Sequence, residues 1–371
     1  MKKLICLALV FSVFAFNLSA GAVGTSAKAA AVINGDTGEV IYAHNADARL
    51  PMASTTKIMT ALLLCENGEF DKEITVTADM LRVEGSSMGL LAGDRVTYHD
   101  LLYGMMLASG NDAANVTAIA LGGSVEGFVK MMNGKAAELG LENTHFVTPS
   151  GLDAEGHYTT AEELAQLARH ALRNEAFAKA VASEAATLNY GNPPYRRTLK
   201  NHNRLLKTFD GAVGVKTGFT KKSGRCLVSA AKRDGKLVIA VTLNDPDDWQ
   251  DHAALLDYGL SSVKQTEYTP KTSRYIIPVI GSDTESLLID IPPFTVNTLE
   301  VSEISCTVRL PKFVYAPVKA GETLGSVEYC MGDTLLGTVE LKAPINVAAL
   351  KAEPDFFIQI INNIKYILRS I

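Results

Sequence analysis

The chain is 371 residues long, 47% hydrophobic, and carries a formal net charge of −5. That length accommodates two domains with a sizeable core, and the mild charge without a Lys/Arg-rich tract argues against nucleic acid as a partner. Seven scattered histidines without an HExxH, and five cysteines without a CxxC, predict neither a metal site nor a cofactor.

Met1-Lys2-Lys3, the apolar run Leu4 to Phe16 and the small residues after it have the order of a secretory signal peptide. A leader is therefore expected within residues 1–29, cut near Ala20 or Ala22, or after Ala29. The run is shorter than the ~20 residues a membrane-crossing helix needs. Cleavage would leave Cys65, Cys226, Cys306 and Cys330. Cys306 and Cys330 could pair in an oxidising compartment, although four free thiols are the preferred expectation.

Ala30–Ile33 and Glu39–Ala43 read as strands around the turn residues Asn34 to Gly38. A helix is predicted from Ser54 to Glu66, stopped by Asn67-Gly68. From Tyr98 to Leu172 the apolar spacing is mostly helical, and Thr160 with Glu163 has the spacing of a capping box. The pattern then turns to strands at Ala212–Lys216, Cys226–Lys232 and Lys236–Leu243, the last two joined by the hairpin signal Asp234-Gly235. Trp249–Tyr258 reads as a closing helix. Strands at both ends with helices between them predict one α/β domain over 30–264. Short β-prone runs at Arg274–Ile280, Ser286–Ile291, Cys306–Leu310 and Thr338–Leu341 predict a small all-β domain over 265–348. In the last segment, 349–371, Phe356, Phe357, Ile360, Ile361, Ile364, Ile367, Leu368 and Ile371 make a broad helical stripe opposite polar residues. Such an amphipathic helix is expected to lie in a membrane surface, or else to dock on the β-domain or a second subunit.

Ser-x-x-Lys occurs three times, as Ser54/Lys57, Ser229/Lys232 and Ser261/Lys264. In the strand containing Ser229, residues three apart point to opposite faces, and Ser261 follows a helix with no companion motif. Ser54 and Lys57 open a helix, where positions i and i+3 share a face. A serine hydroxyl needs a neighbouring base to become a nucleophile. A lysine can be that base only when burial or a second cation lowers its pKa. Ser109-Gly110-Asn111 falls at a helix–helix turn, and Lys216-Thr217-Gly218 ends a predicted strand.

These three motifs, in this order, match the Ser-x-x-Lys, Ser-x-Asn and Lys-Thr-Gly set of penicillin-binding proteins and β-lactamases. The chain most resembles the low-molecular-mass D-alanyl-D-alanine carboxypeptidases, through Ala53–Leu62, Leu107–Ala114 and Asn143–Asp153 as well. The resemblance implies an α/β (α+β) penicillin-binding fold: an antiparallel sheet flanked by helices, a helical lobe beside it, and the site between sheet edge and lobe. It implies Ser54 as nucleophile, Lys57 as its base and Ser109 as proton relay. Asn111 would hold the substrate amide, Lys216 and Thr217 its carboxylate, and Gly218 would let the substrate backbone approach. The amides of Ser54 and Phe219 would form the oxyanion hole. The implied partners are peptidoglycan stem peptides and acylating β-lactam antibiotics, with no cofactor. Arg225 departs from the small or aromatic residue expected before its strand, and is expected to face solvent.

Three other readings compete. Gly85-Ser86-Ser87-Met88-Gly89 fits the G-x-S-x-G nucleophile elbow, but its flanks predict a loop rather than a strand and helix. A β-lactamase of the same fold would need a carboxylate-held water, for which Asp153 and Glu155 are placed in sequence. A D,D-endopeptidase or a non-catalytic wall-binding protein would share the fold.

Overall fold

The computed structural model describes residues 23–300, 304–332, 334–350, 360–361 and 364–365. Most of the expected leader, and most of the expected C-terminal helix, lie outside the described residues.

In chain order the first part comprises β1 (Ala29–Asn34), β2 (Val40–His44), α1 (Lys57–Asn67), β3 (Glu73–Thr75), β4 (Arg95–Thr97), α2 (Tyr98–Met106), α3 (Asn111–Gly122), α4 (Val125–Glu138), α5 (Ala161–Leu172) and α6 (Glu175–Ala182). It continues through β5 (Ala185–Gly191), β6 (Pro194–Lys200), α7 (Leu205–Thr208), β7 (Ala212–Thr220), β8 (Gly224–Arg233), β9 (Lys236–Leu243) and α8 (Asp248–Ser262). Five strands form one antiparallel sheet in the order β2-β1-β9-β8-β7. The first strand of the chain thus sits beside the last of this domain. All six residues of β1 are buried, which explains its unbroken apolar run: a strand covered on both faces has no reason to alternate. One core lies between the sheet and the helical lobe and includes Ile33, Ile58, Leu101, Phe146 and Val228. The other lies under α8 and includes Val32, Leu227, Leu255 and Leu256.

Local signals act as expected at several ends. Asp234 (φ 51°) and Gly235 (φ 78°) both take the left-handed region, as a two-residue type I′ turn between β8 and β9 requires. Gly68 (φ 75°) closes α1. The helix expected at Ser54 begins instead with a 3₁₀ turn over Ala53–Thr56, and α geometry starts at Lys57. The hydroxyls of Thr55 and Thr56 donate to the carbonyls of Met52 and Ala53 (2.6 and 2.8 Å), holding that tighter turn. Only half of the Thr160 box forms. Thr160 Oγ1 accepts from the Glu163 amide, but the Glu163 carboxylate turns to the Asn143 amide and the Thr144 hydroxyl. The reciprocal box occurs at Thr97 and Asp100, where α2 starts.

The stretch between Leu172 and Ala212, which carries no strong pattern, holds α6 and the β5–β6 hairpin. Tyr190 Oη donates to the Met88 carbonyl (2.7 Å) and Arg197 to that of Gly89. The hairpin thereby braces the 85–91 loop.

Beyond Val263 come β10 (Lys264–Tyr268), β11 (Arg274–Ile280), β12 (Ser286–Asp290), β13 (Phe294–Thr298), β14 (Ile304–Arg309), β15 (Val314–Tyr315), β16 (Thr323–Met331) and β17 (Thr334–Lys342). They enclose a separate core of Ile277, Leu287, Ile289, Val327, Tyr329 and Leu341. This is the small all-β domain expected from the sequence. It is tied to the β1–β2 turn by Asn297 Nδ2 on Asp36 (2.8 Å) and by Asn34 Nδ2 on the Asn297 carbonyl (2.9 Å). Cys306 faces Tyr329 across the β14–β16 ladder and Cys330 faces Ser305. The two thiols therefore project from opposite faces of the sheet, and both are free.

Thr160→Ala should cost about 1 kcal/mol, the usual worth of a helix N-cap. Urea unfolding followed by the single tryptophan, Trp249, would measure it.

Candidate active site

Ser54 lies on the 3₁₀ turn that leads into α1, and Lys57 is the first residue of the α-helix. Lys57 is fully buried, and its Nζ sits 2.9 Å from Ser54 Oγ, 2.7 Å from Asn111 Oδ1 and 2.7 Å from the Ser150 carbonyl. Burial, and then the neighbouring Lys216, hold its pKa well below the ordinary lysine range, with Asp112 pulling the other way. A neutral amine suits these partners. It donates two hydrogens to Asn111 and Ser150 and offers its lone pair to the Ser54 hydroxyl.

Asn111 opens α3 and is locked on both sides. Its Nδ2 donates to the Glu84 carbonyl (2.6 Å) and its amide to the Ser86 carbonyl (2.7 Å). The side chain thus fixes Lys57 through its oxygen, while its Nδ2 carries a second hydrogen besides the one given to Glu84. Asp112, next in sequence, accepts from Ser87 Oγ and the amides of Met88, Gly89 and Leu90, pinning the 85–91 loop to the start of α3. The G-x-S-x-G stretch is therefore a loop beside the cleft, and Ser87 is a structural donor.

Ser109 joins α2 to α3 in the left-handed region (φ 56°), a conformation costly for a side chain other than glycine or asparagine. Its Oγ accepts from Lys216 Nζ (3.0 Å), which also donates to the Thr217 carbonyl (2.8 Å). Lys216 is almost wholly buried, and desolvation lowers its pKa to about 7.

Thr217, Gly218 and Phe219 follow on β7, which is an edge strand of the sheet. A β-carbon on Gly218 would stand 3.0 Å from the Ser54 amide nitrogen and 3.1 Å from that of Thr55. The glycine is thus demanded first by the approach of β7 to the nucleophile turn, a use the motif alone does not reveal. The turn is gripped from the other side as well. A β-carbon on Gly151 would collide with the Ala53 carbonyl. Below it, Val147 N–H donates to His157 Nδ1 (2.9 Å), so the hydrogen is on Nε2 and is donated to Thr56 Oγ1 (2.8 Å). Burial lowers His157 to about 4, which keeps it neutral.

The structure brings Ser54, Lys57 and Asn111 into one hydrogen-bonded group and Ser109 with Lys216 into a second near it, and places Thr217, Gly218 and Phe219 beside them on β7. The cleft is lined by Ser54, Ser109, Thr217, Phe219, His202, Arg204, Arg225 and Trp249, among others. Arg225 corrects the expectation from sequence: it lines the cleft, its guanidinium 3.3 Å from Asp248 Oδ1, while remaining half exposed. Sequence reasoning also missed Asp112, Ser150, Thr56 and His157. Asp112 and Ser150 lie inside the family-like stretches, which was the available signal. The other serines drop out. Ser229 is buried against His252, and Ser261 bonds its own helix at Tyr258.

A serine hydrogen-bonded to a fully buried lysine whose pKa is lowered, beside the edge of an antiparallel sheet with helices on both faces, defines a serine peptidase of the penicillin-binding fold. Solved structures agree. The D-alanyl-D-alanine carboxypeptidase DacD of Francisella tularensis superposes with a TM-score of 0.62 at 28% identity, over 88% of this chain and 95% of that one. The Streptomyces K15 DD-transpeptidase gives 0.62 at 35%, over 64% and 98%. The family described as D-alanyl-D-alanine carboxypeptidase matches residues 17–247. Bacillus subtilis D-alanyl-D-alanine carboxypeptidase DacF is 34% identical over 317 residues, 81% of this chain and 80% of its own. The chain belongs to the D-alanyl-D-alanine carboxypeptidase family of serine peptidases.

Two outcomes follow from this geometry. Gly218→Ala should push β7 away from the Ser54 turn and slow acylation by about 10²-fold, the effect of losing one oxyanion donor, as read by penicillin labelling kinetics. Lys216, neutral above about 7 when folded but charged to 10.5 when unfolded, makes the native state the poorer proton binder in that window. Stability should therefore rise with pH from 7 towards 10, and Lys216→Met should flatten the rise in Tm.

Proposed function

We propose that the chain removes the terminal D-alanine from peptidoglycan stem peptides through an acyl-enzyme on Ser54. The observation that carries this reading is the 2.9 Å hydrogen bond between a fully buried Lys57 and Ser54, in a setting that disfavours the charged amine. Lys57 takes the hydroxyl proton as Ser54 Oγ attacks the carbonyl carbon between the two D-alanines. The oxyanion develops towards the Ser54 and Phe219 amides, whose pre-set dipoles favour the tetrahedral state over the flat carbonyl. Collapse breaks the C–N bond; Lys216 gives a proton through Ser109 to the departing amine and regains one from Lys57, which is thereby neutral again for the second step. Water, deprotonated by Lys57, then attacks the ester, releasing the shortened peptide and restoring the Ser54 hydroxyl.

Asn111 contributes by fixing Lys57. Thr217 faces the cleft and would receive the terminal carboxylate, with the positive charge of Lys216 behind it. β-Lactams would enter the same path as mimics of the scissile amide and stop at the ester. The β-lactamase reading has less support. Asp153 is engaged by Thr220 Oγ1 (3.0 Å), Glu155 is exposed, and neither bonds to Ser54 or Lys57 among the described residues. A Pseudomonas aeruginosa relative named D-alanyl-D-alanine endopeptidase is 31% identical over 203 residues, so cleavage of crosslinks is the second reading.

The basic start and apolar run of the leader support export, and the amphipathic stripe of 349–371 supports a tether on the outer face of the bacterial cytoplasmic membrane. No helix among the described residues is long and apolar enough to cross a membrane.

The test is release of free D-alanine from a peptide ending in D-Ala-D-Ala. Ser54→Ala should lower it by about 10⁴-fold or more, and intact-protein mass should show one stable penicillin adduct on the unsubstituted chain. Rapid penicillin turnover would favour the β-lactamase. A stable adduct without D-alanine release would favour the endopeptidase.

A further inference from the structure

The small β-domain has a face that the proposed chemistry does not use. β11 reads Arg274-Tyr-Ile-Ile-Pro-Val-Ile280, apolar at nearly every position, yet only Ile277 and Val279 are fully buried. A strand with one solvated face normally alternates; one apolar on both faces is normally covered on both. Here the outer row is bare. Ile276 is 71% exposed and lies opposite Leu288 of β12, 46% exposed. At the other end Ile280 pairs with Tyr315 of β15, 66% exposed, and Phe313 meets Tyr315 edge-on at 5.4 Å. Register places Ile276, Pro278, Ile280, Leu288 and Tyr315 on one side of the β12-β11-β15 sheet.

Two further observations say what covers it. Of the sixteen large apolar side chains exposed among the described residues, five precede residue 265 and eleven follow it, so apolar exposure belongs to this end of the molecule. The chain also leaves the domain beside this sheet. The Leu350 amide donates to the Gly281 carbonyl (2.7 Å), one residue past β11, and Leu350 itself is exposed. The amphipathic segment therefore departs from the end of the bare row, and its Ile360, Ile361 and Ile364 are exposed too. An aromatic pair among aliphatics, bordered by Lys312 and by the Arg274–Asp290 ion pair, has the composition of a bilayer interface.

We propose that the outer face of the β12-β11-β15 sheet is a second lipid-contact surface, lying in the bilayer interface beside the C-terminal segment. The small domain would then rest on the membrane rather than merely hold the catalytic domain above it. This goes beyond the tether reading but rests on it for the presence of a membrane.

The test uses the full chain and vesicles of phosphatidylethanolamine and phosphatidylglycerol. Ile276→Asp with Leu288→Asp should leave D-alanine release in solution unchanged and weaken vesicle partition by tenfold or more. Tyr315→Trp should gain fluorescence that brominated lipid quenches, above the Trp249 background of the unsubstituted chain. Undiminished partition of the doubly substituted chain, or fluorescence that lipid does not quench, would overturn the inference and leave the tether standing. Failure of the unsubstituted chain to bind vesicles would overturn both. Sedimentation showing a dimer that the two aspartates dissociate, with partition unaltered, would reassign the face to a second copy.

Discussion

The structure depends on a lysine that must be buried without its proton. An isolated ammonium taken out of water is too costly to keep, so a buried lysine gives up its charge unless it is paired. Among the described residues no carboxylate contacts Lys57; its partners are a hydroxyl, an amide oxygen and a backbone carbonyl. Those three partners come from the Ala53–Thr56 turn, α3 and the 148–151 loop. Turn, helix and loop therefore have to converge on one nitrogen, and much of the local geometry is explained by that convergence.

Convergence of this kind brings backbones closer than side chains allow. β7 and the 148–151 loop press on the Ala53–Thr56 turn from two sides, and each meets it with a glycine, Gly218 and Gly151. Ala53 takes φ 48° and Ser109 φ 56°, two residues with side chains held in the left-handed region, one beside Ser54 and the other carrying the hydroxyl that Lys216 contacts. Strain of that size persists only where neighbours over-determine the backbone. The neighbours are visible: Thr56 and His157 hold the Ala53 carbonyl, while Asp112 and the Gly110 amide bond anchor the turn that carries Ser109.

This arrangement explains what could be read from the residues alone. Ser54, Lys57, Ser109, Asn111 and Lys216 were legible because each sits in a short motif whose chemistry is local to three residues. The ends of α1 and of the β8–β9 hairpin were legible because Asn67-Gly68 and Asp234-Gly235 act on their own backbone. Thr56–His157 was not, since its partners are 101 positions apart and nothing in the Ser54–Lys57 motif points to a distant histidine. The β5–β6 hairpin was hidden by its mixture of buried Leu188 and Tyr190 with exposed Arg196 and half-buried Arg197, and its purpose lies in a loop a hundred residues earlier. Arg225 was misjudged for a related reason. Its direction is set by Asp248, which belongs to a helix 23 residues further on.

The same electrostatics suggest how two lysines divide one reaction. Both are buried, and each would be the other's nearest like charge; Lys216 is among the causes that depress Lys57. Two ammonium groups in a low-dielectric cluster are strongly disfavoured, so a proton on one lysine disfavours a proton on the other. When Lys57 takes the proton of Ser54, it raises the cost of keeping another on Lys216. Lys216 touches Ser109, the hydroxyl that would face the departing amine. In the proposed reaction, proton uptake from the attacking oxygen would therefore favour proton release to the leaving nitrogen, without either lysine exchanging with solvent during the step. A carboxylate in contact with Lys57 would break this coupling by stabilising its charge. The placement of Asp112 fits that requirement: it is near enough to raise the Lys57 pKa somewhat, yet its oxygens are occupied by Ser87 and a series of backbone amides.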